Sequence, residues 1–428
     1  MRADLVWYNS LYRFVNAVYF ARITVMHRER LPRRGPVLFV GLHRNGAVDG
    51  FVYHRALGGP VFLISTQLRR NWLARLFFQG IAVTRTKDCE EAGREGNEAA
   101  LRRCLEHLRA GGRLFVFPEG TSSLGPRHLP FKSGAAWLME DYQAGGGPPL
   151  QVVPVGIHYE CPWAFRSKVE VVIGSPLAAE PDAGVGRLER LKQTKRRLQA
   201  GLEQVGINVI SAEYQEAIQR LAYVSTLATD WCYFDSLKAL EHSIPEVILA
   251  ESAGLENELR GRRLLRHQNV PLFPMGRVLL CVVALLAVAP VVLAAILLNL
   301  PPYLAGWLAG RKLPDDRNVI SLWKILVGVP AFALWAGLVA GATVLSGHFL
   351  LLAAYALLTW LGVALYYRVK KLAVAVHNGL RYPALRGRML AFRQTVLRAL
   401  SSEKASTGSG LSGANHGPSQ PARSCSCT

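Results

Sequence analysis

Acidic side chains are scarce in these 428 residues: 30 Asp and Glu stand against 50 Lys and Arg, a formal charge of +20. Such a chain attracts anionic partners, and nucleic acid and an anionic membrane both answer that description. The first is set aside, because no zinc-finger spacing, stacking-aromatic motif or recognition-helix pattern is present, whereas basic residues flank very apolar stretches. No nucleic-acid partner is expected. Cysteines are few and scattered (Cys89, Cys104, Cys161, Cys232, Cys281, Cys425, Cys427), odd in number and without paired metal spacing. No metal site is indicated, and a reduced, cytoplasmic catalytic face is expected. A secretory signal is also missing, since Leu5 to Val25 is interrupted by Asn9, Arg13, Asn16 and Arg22 and lacks a small-residue cleavage site. The absence of a Gly-x-Ser-x-Gly elbow argues against a serine hydrolase. With neither a metal cluster nor a nucleotide loop, no bound cofactor is expected.

What is present is apolar in excess. Half of the residues are hydrophobic, enough for one core of ordinary domain size plus a separate hydrophobic unit. Residues 1–30 read as a helix lying in a membrane interface, its aromatics (Trp7, Tyr8, Tyr12, Phe14, Tyr19, Phe20) mixed with Arg; a helix covering a soluble core is the equal alternative. Residues 31–183 alternate short apolar runs with longer helical patterns, the sequence form of an α/β domain with a mostly parallel sheet flanked by helices. The expected strands are Val37–Gly41, Val61–Ser65, Ile81–Thr84, Arg113–Phe117, Gln151–His158 and Val169–Ile173. The expected helices between them are Leu68–Phe78, Asn97–Leu108 and Ser133–Tyr142.

Residues 184–270 form a charged, cytosolic helical extension ending in Arg260, Arg262, Arg263 and Arg266. Residues 271–375 hold the membrane segments. A crossing takes about twenty apolar residues, so Ile325–Tyr366 has room for two, turning at Gly347-His348. Val278–Leu308, with Pro290 and Pro301-Pro302, is either one span or a re-entrant hairpin. The Lys/Arg-rich flanks Arg262–Arg277, Arg311–Lys324 and Arg368–Lys371 all favour the cytoplasmic side, which selects the hairpin. A basic helical segment (376–400) and a disordered tail (401–428) follow, the closing Cys425 and Cys427 being read as unmodified.

Candidate chemistry begins directly after the first strand, at Gly41-Leu-His43-Arg-Asn-Gly-Ala-Val-Asp49. Six residues turn a regular helix by about 240°, so His43 and Asp49 cannot pair on one helix. His43 therefore belongs on the loop, Gly46 lets that loop fold back, and Asp49 opens the next helix, where the dipole favours its ionised form. There the carboxylate can hold the imidazole tautomer and stabilise the charge gained by a general base. Alone, the pair reads first as a surface histidine before an Asp helix cap. Three further segments change the balance. Phe117-Pro-Glu119-Gly120-Thr121-Ser-Ser123 places a carboxylate, a glycine and hydroxyls where a strand gives way to a loop. Gly80-Ile-Ala-Val-Thr84-Arg85 puts a guanidinium at a strand end, suited to phosphate. Val153-Pro154-Val155-Gly156-Ile157 is an apolar strand whose proline is expected to break the ladder. Lys132, in Phe131-Lys132-Ser-Gly134, offers another cation near the same edge.

In this order the four blocks resemble the glycerol-3-phosphate and lysophosphatidate acyltransferase family over about a third of the chain. The resemblance implies the glycerolipid acyltransferase fold, His43 as general base with Asp49 behind it, and attack of a lipid hydroxyl on an acyl thioester without a covalent acyl-enzyme. It also implies that Arg85, Glu119, Gly120 and Thr121 shape the acceptor-phosphate site, with Pro154 in the fourth block; Lys132 is added on its position. The implied partners are acyl-CoA or acyl-carrier protein as thioester donor, a glycerol-phosphate acceptor and membrane lipids, on an integral membrane protein whose catalytic domain faces the cytoplasm. The chain departs from the commonest family form in having five residues rather than four between His43 and Asp49, and Ser122 where arginine commonly stands. The longer spacing is similar to the fungal-type glycerol-3-phosphate or dihydroxyacetone-phosphate branch, as are Leu298-Asn-Leu-Pro-Pro302, Asp315–Asn318 and Trp323-Lys324. The expected activity is acylation of glycerol 3-phosphate or 1-acylglycerol 3-phosphate in phospholipid biosynthesis. The competing readings are lysophospholipid remodelling, including transacylation, and a non-catalytic membrane lipid-binding protein.

Overall fold

The computed structural model describes residues 2–66, 72–83, 92–177 and 184–409. Two compact units emerge, Met1–Gly206 with Asn299–Ala353, and Ile207–Leu298 with Ala354–Thr428. In the first, a helix α1 (Arg2–Tyr19) leads into seven strands: β1 (Phe20–Met26), β2 (Val37–Gly41), β3 (Val61–Ser65), β4 (Ile81–Val83), β5 (Arg113–Val116), β6 (Gln151–Tyr159) and β7 (Ser167–Ile173). They lie in the order β1-β7-β6-β2-β5-β3-β4, parallel except where β6 meets β7. Helices α2 (Val48–Leu57), α3 (Trp72–Phe77), α4 (Ala92–Arg109), α5 (Gly134–Ala144) and α6 (Arg187–Val205) complete this α/β part. The central strand β2 is buried at every position, as a strand covered on both faces must be. A continuous apolar run therefore marked it, and β2 and β3 fall on their expected bounds.

The amino-terminal segment differs from expectation. Residues 1–30 are not one helix: α1 stops at Tyr19, and Phe20–Met26 pairs parallel with β7 as an edge strand. The β-branched Ile23, Thr24 and Val25 suit that edge, while Leu11, Tyr12, Val15 and Tyr19 carry α1 into the same core as Phe51 and Phe115. The α/β domain accordingly starts well before residue 31. It also ends later than 183, because α6 covers the sheet: Pro154 Cγ would lie 3.2 Å from a Cβ on Gly201, and His158 Nε2 bonds the Val205 carbonyl at 2.8 Å. Pro154 does not break the ladder. Its carbonyl accepts from Gly174 N–H (2.8 Å) on the β7 side, just before the first β6–β7 pair at Val155. The missing N–H faces that same side, so pairing of Pro154 with Val40 on β2 is untouched.

The second unit begins with α7 (Ala212–Ser225), α8 (Tyr233–Ala239), α9 (Glu246–Leu259), a small β8–β9 ladder (Arg266–His267, Val270–Pro271) and α10 (Val278–Leu298). The chain then rejoins the first unit with α11 (Leu300–Lys312) and α12 (Ile320–Leu345), so residues 271–375 are not a single structural block. The long α13 (Phe349–Arg381) and α14 (Pro383–Ser409) follow, and α14 carries helix nine residues into the expected disordered tail; residues 410–428 lie outside the described residues. Val278–Leu298, Arg317–Leu345 and Phe349–Arg381 are long and apolar enough to cross a membrane. Pro290 does not interrupt α10; the helix breaks at Asn299, and Pro301-Pro302 open α11, where their missing N–H groups are not needed. The first apolar block is thus one full-length helix followed by a shorter one.

Candidate active site

Strands β2, β5 and β6 run parallel, so their carboxyl ends share one edge of the sheet. His43 follows β2, the motif Phe117–Ser123 follows β5, and Tyr159 closes β6. The loop after β2 folds back at Gly46, whose φ of +53° is the left-handed conformation glycine adopts without strain. Asp49 then stands in the first turn of α2, as expected. Its Oδ2 lies 2.9 Å from His43 Nδ1 and accepts from the Arg44 and Asn45 N–H groups at 2.6 and 2.9 Å. Its Oδ1 accepts from the Tyr159 hydroxyl at 2.6 Å. The carboxylate is completely buried, and every assigned partner is a donor. Nδ1 therefore carries the hydrogen, and Nε2 is left as the lone-pair nitrogen of a ring that lines a cavity.

The imidazole is held by packing as well. Phe117 stacks on it with centroids 4.0 Å apart, and Phe115, Tyr53 and Phe62 form the aromatic layer beneath. Gly41 is required there, because a Cβ would run into the Phe115 ring. Burial first, and then Asp49, raise the pKa of Tyr159 well above that of an ordinary tyrosine, so it remains a neutral donor. Burial pushes the Arg44 guanidinium down, opposed by Glu119 and Asp49, and its Nη1 donates to the Ser123 and Gly125 carbonyls.

The cavity has a volume of about 810 Å³. One part is apolar, with Phe62, Ile64, Phe78, Val83, Leu101 and Leu138; the other carries His43, Thr121, Ser122, Lys132, Asp315 and Asn318. Few convergent polar groups beside an apolar wall is the usual make-up of a small-molecule site. Of the expected site residues, His43, Gly120, Thr121 and Lys132 come together here. Gly120 has φ +70°, and a Cβ on it would stand 2.7 Å from Lys132 Nζ, so the glycine makes room for the cation. Glu119 is elsewhere: 2% exposed, it accepts from the His43 N–H through Oε1 and the Leu129 N–H through Oε2, both at 3.0 Å. It braces the His43 loop instead of facing a phosphate, which its charge would repel. Pro154 packs under α6 against Gly201 and Gly174 and does not line the cavity. Arg85, with Thr84, lies outside the described residues. Tyr159 and Asn318 were missed; the first ends an apolar strand, and the second belongs to the Asp315–Asn318 run noted only as a similarity.

This arrangement defines a histidine–carboxylate site at the carboxyl edge of a mostly parallel α/β sheet. Residues 22–158 match the Acyltransferase family model, and the chain thus carries an acyltransferase-family domain over about a third of its length. Among curated proteins it is similar to an uncharacterized acyltransferase of Schizosaccharomyces pombe (24% identical over 258 residues, 52% of this chain and 38% of that protein). It is also similar to glycerol-3-phosphate O-acyltransferase 2 of Saccharomyces cerevisiae (30% over 104 residues, 24% and 14%) and to a 1-acyl-sn-glycerol-3-phosphate acyltransferase of Chlamydomonas reinhardtii (26% over 148 residues, 34% and 42%). The matched part spans less than half the length of each of these relatives. Among solved structures, the 1-acyl-sn-glycerophosphate acyltransferase PlsC of Thermotoga maritima is 20% identical, with a TM-score of 0.34 over 48% of this chain and 81% of that one.

Proposed function

We propose that the protein transfers a fatty acyl group from a soluble thioester, acyl-CoA or acyl-carrier protein, to a hydroxyl of glycerol 3-phosphate or 1-acylglycerol 3-phosphate at a membrane. The observation that carries this reading is the His43 Nδ1–Asp49 Oδ2 pair at 2.9 Å, on a cavity with an apolar wall and the cation Lys132. In the proposed step, His43 Nε2 takes the acceptor hydroxyl proton as the oxygen attacks the thioester carbonyl. The carbon–sulfur bond then breaks, and the thiolate receives the proton back from His43. Asp49 stabilises the imidazolium between those transfers. Lys132, with Arg85 and Thr121, binds the acceptor phosphate, and the apolar wall takes the acyl chain. The catalytic domain is assigned to the cytoplasmic face, where both thioester donors reside.

The test offers radiolabelled glycerol 3-phosphate or 1-acylglycerol 3-phosphate with one acyl-CoA, and reads labelled lipid and free thiol. Turnover with one acceptor is expected, with His43→Ala slower by about 10²- to 10⁴-fold. No thiol release with either acceptor ends this reading. A His43→Ala enzyme that acylates at the wild-type rate removes the histidine from the mechanism.

A further inference from the structure

The run Asp315–Asn318 lies outside the four motif blocks, yet the fold sets it against the third of them. Asn318 is 7% exposed, and its Nδ2 donates to both the carbonyl oxygen and the Oγ of Ser122, at 3.0 and 2.9 Å. Its own carbonyl oxygen reaches the turn of the histidine loop, 3.0 Å from where a Cβ on Gly46 would stand. One residue further along the motif, the Ser123 N–H donates to the His43 carbonyl at 3.0 Å, while Arg44 holds the Ser123 and Gly125 carbonyls. Asn318 thus touches both loops that meet at the histidine.

The turn bearing Asn318 is itself fixed. Ser321 Oγ donates to the Pro162 carbonyl at 2.6 Å and accepts from the Tyr19 hydroxyl at 2.8 Å; Lys324 Nζ donates to the Trp163 carbonyl at 2.7 Å. The same Pro162 carbonyl accepts from Asn45 Nδ2 at 2.8 Å, so this anchor also reaches the histidine loop. Polar groups thus recur every third residue through the opening of α12, and the rest of that helix is apolar enough to enter a membrane. A side chain buried in this way gains a hydrogen bond to its motif partner and loses it on truncation, leaving two Ser122 oxygens without their donor.

We infer that Asn318 is a positioning residue for acyl transfer: through Ser122 it sets the loop after β5, and through Ser123 the backbone of His43. The start of a membrane-type helix is then part of the catalytic frame. This rests on the reading of His43 as the general base.

The experiment uses the full chain in lipid nanodiscs, with the acceptor that the wild type turns over. Asn318→Ala lowers kcat by about 10- to 100-fold through misplacement of the base, while KM for acceptor and donor stays within about threefold. Asn318→Gln, which keeps the amide donor, regains part of the rate. Ser122→Ala removes one of the two acceptors and costs about 3- to 10-fold in kcat. It carries the test if Asn318→Ala does not fold. The double variant behaves as Asn318→Ala alone, because both changes act on one strut. Three outcomes overturn the inference: wild-type kcat in Asn318→Ala, a raised KM at unchanged kcat, or additive effects in the double variant. Hydrogen exchange supplies a readout independent of activity. Asn318→Ala speeds exchange at residues 120–125 and leaves β5 unchanged, and unchanged exchange in that loop also overturns the inference. If the wild-type chain transfers no acyl group, the functional reading fails while the exchange comparison still decides the strut.

Discussion

Three donors besides His43 converge on Asp49, which has no solvent exposure. The carboxylate cannot rotate without breaking a charge-assisted hydrogen bond, and the direction of the His43 Nδ1–H bond is set with it. Tyr159→Phe removes one of those donors, a loss of about 1.5–3 kcal/mol for a bond to a buried charge. A lower thermal midpoint and a slower kcat are expected. Because the Tyr159 pKa is raised well above 10, its hydroxyl is protonated at every pH below that, and the variant should lower the kcat–pH profile uniformly without changing its shape. A profile that changes shape would give Tyr159 a role in proton transfer. The placement of His43 and Asp49 was legible because they are six residues apart and a helix cannot pair them at that interval; the chemistry read into them came from the three motif segments that follow. Tyr159 was not, since it meets Asp49 across 110 residues of sequence. Glu119 read as a ligand contact, and only its burial and its two N–H partners reveal a brace.

At the level of elements, a strand buried on both faces announces itself as an apolar run, which is why β2 was found on its bounds; β3, only partly buried, was found by the same apolar run. The edge strand β1 has one face open, with Arg22 in it, and its pattern merges with that of the preceding helix. The α11–α12 pair illustrates a different limit. Gly306-Trp-Leu-Ala-Gly310 brings the two helices into near backbone contact, a Cβ on Gly306 standing 3.5 Å from Gly328 Cα, and Gly310 receives the Lys324 side chain. Small residues four apart allow such an approach, but counting apolar runs passes over them. Gly306→Leu should destabilise this pair by about 1–3 kcal/mol through overpacking, read as a lower melting midpoint in detergent. Gly341→Leu, on the same α12 but with nothing within 4 Å of its Cβ position, should leave the midpoint unchanged. Equal effects of the two would contradict the close crossing.

On the scale of the whole chain, the first unit by itself makes a statement about topology. Asp315 lines the same cavity as His43, and α12 runs 26 residues from there to the turn at Ser346–His348. At 1.5 Å per residue this is about 39 Å, more than the hydrocarbon thickness of about 30 Å. Single cysteines at Asp315 and Gly347, in a background without other accessible thiols, should be labelled from opposite sides of sealed vesicles. The position-315 label should report the side of the catalytic domain, in keeping with Arg311, Lys312 and Lys324 beside it. Labelling of both from one side would show that α12 does not cross.

The sequence by itself determined the local quantities: strands β2 to β7, the loop placement of His43, the helix-start placement of Asp49 and the two apolar helices that turn at Gly347-His348. Each follows from spacing or apolar content within a few residues, the range over which helix and strand periodicities act. The tertiary structure alone decided the assignments that need distant chain to meet. It turned Glu119 into a brace and Pro154 into packing under α6, and supplied Tyr159 behind Asp49. It also brought the start of α12 against the loop after β5, through the bonds from Asn318 to Ser122. Those contacts join residues 76 to 196 positions apart, or depend on which side of a strand faces its neighbour, and no local pattern encodes either.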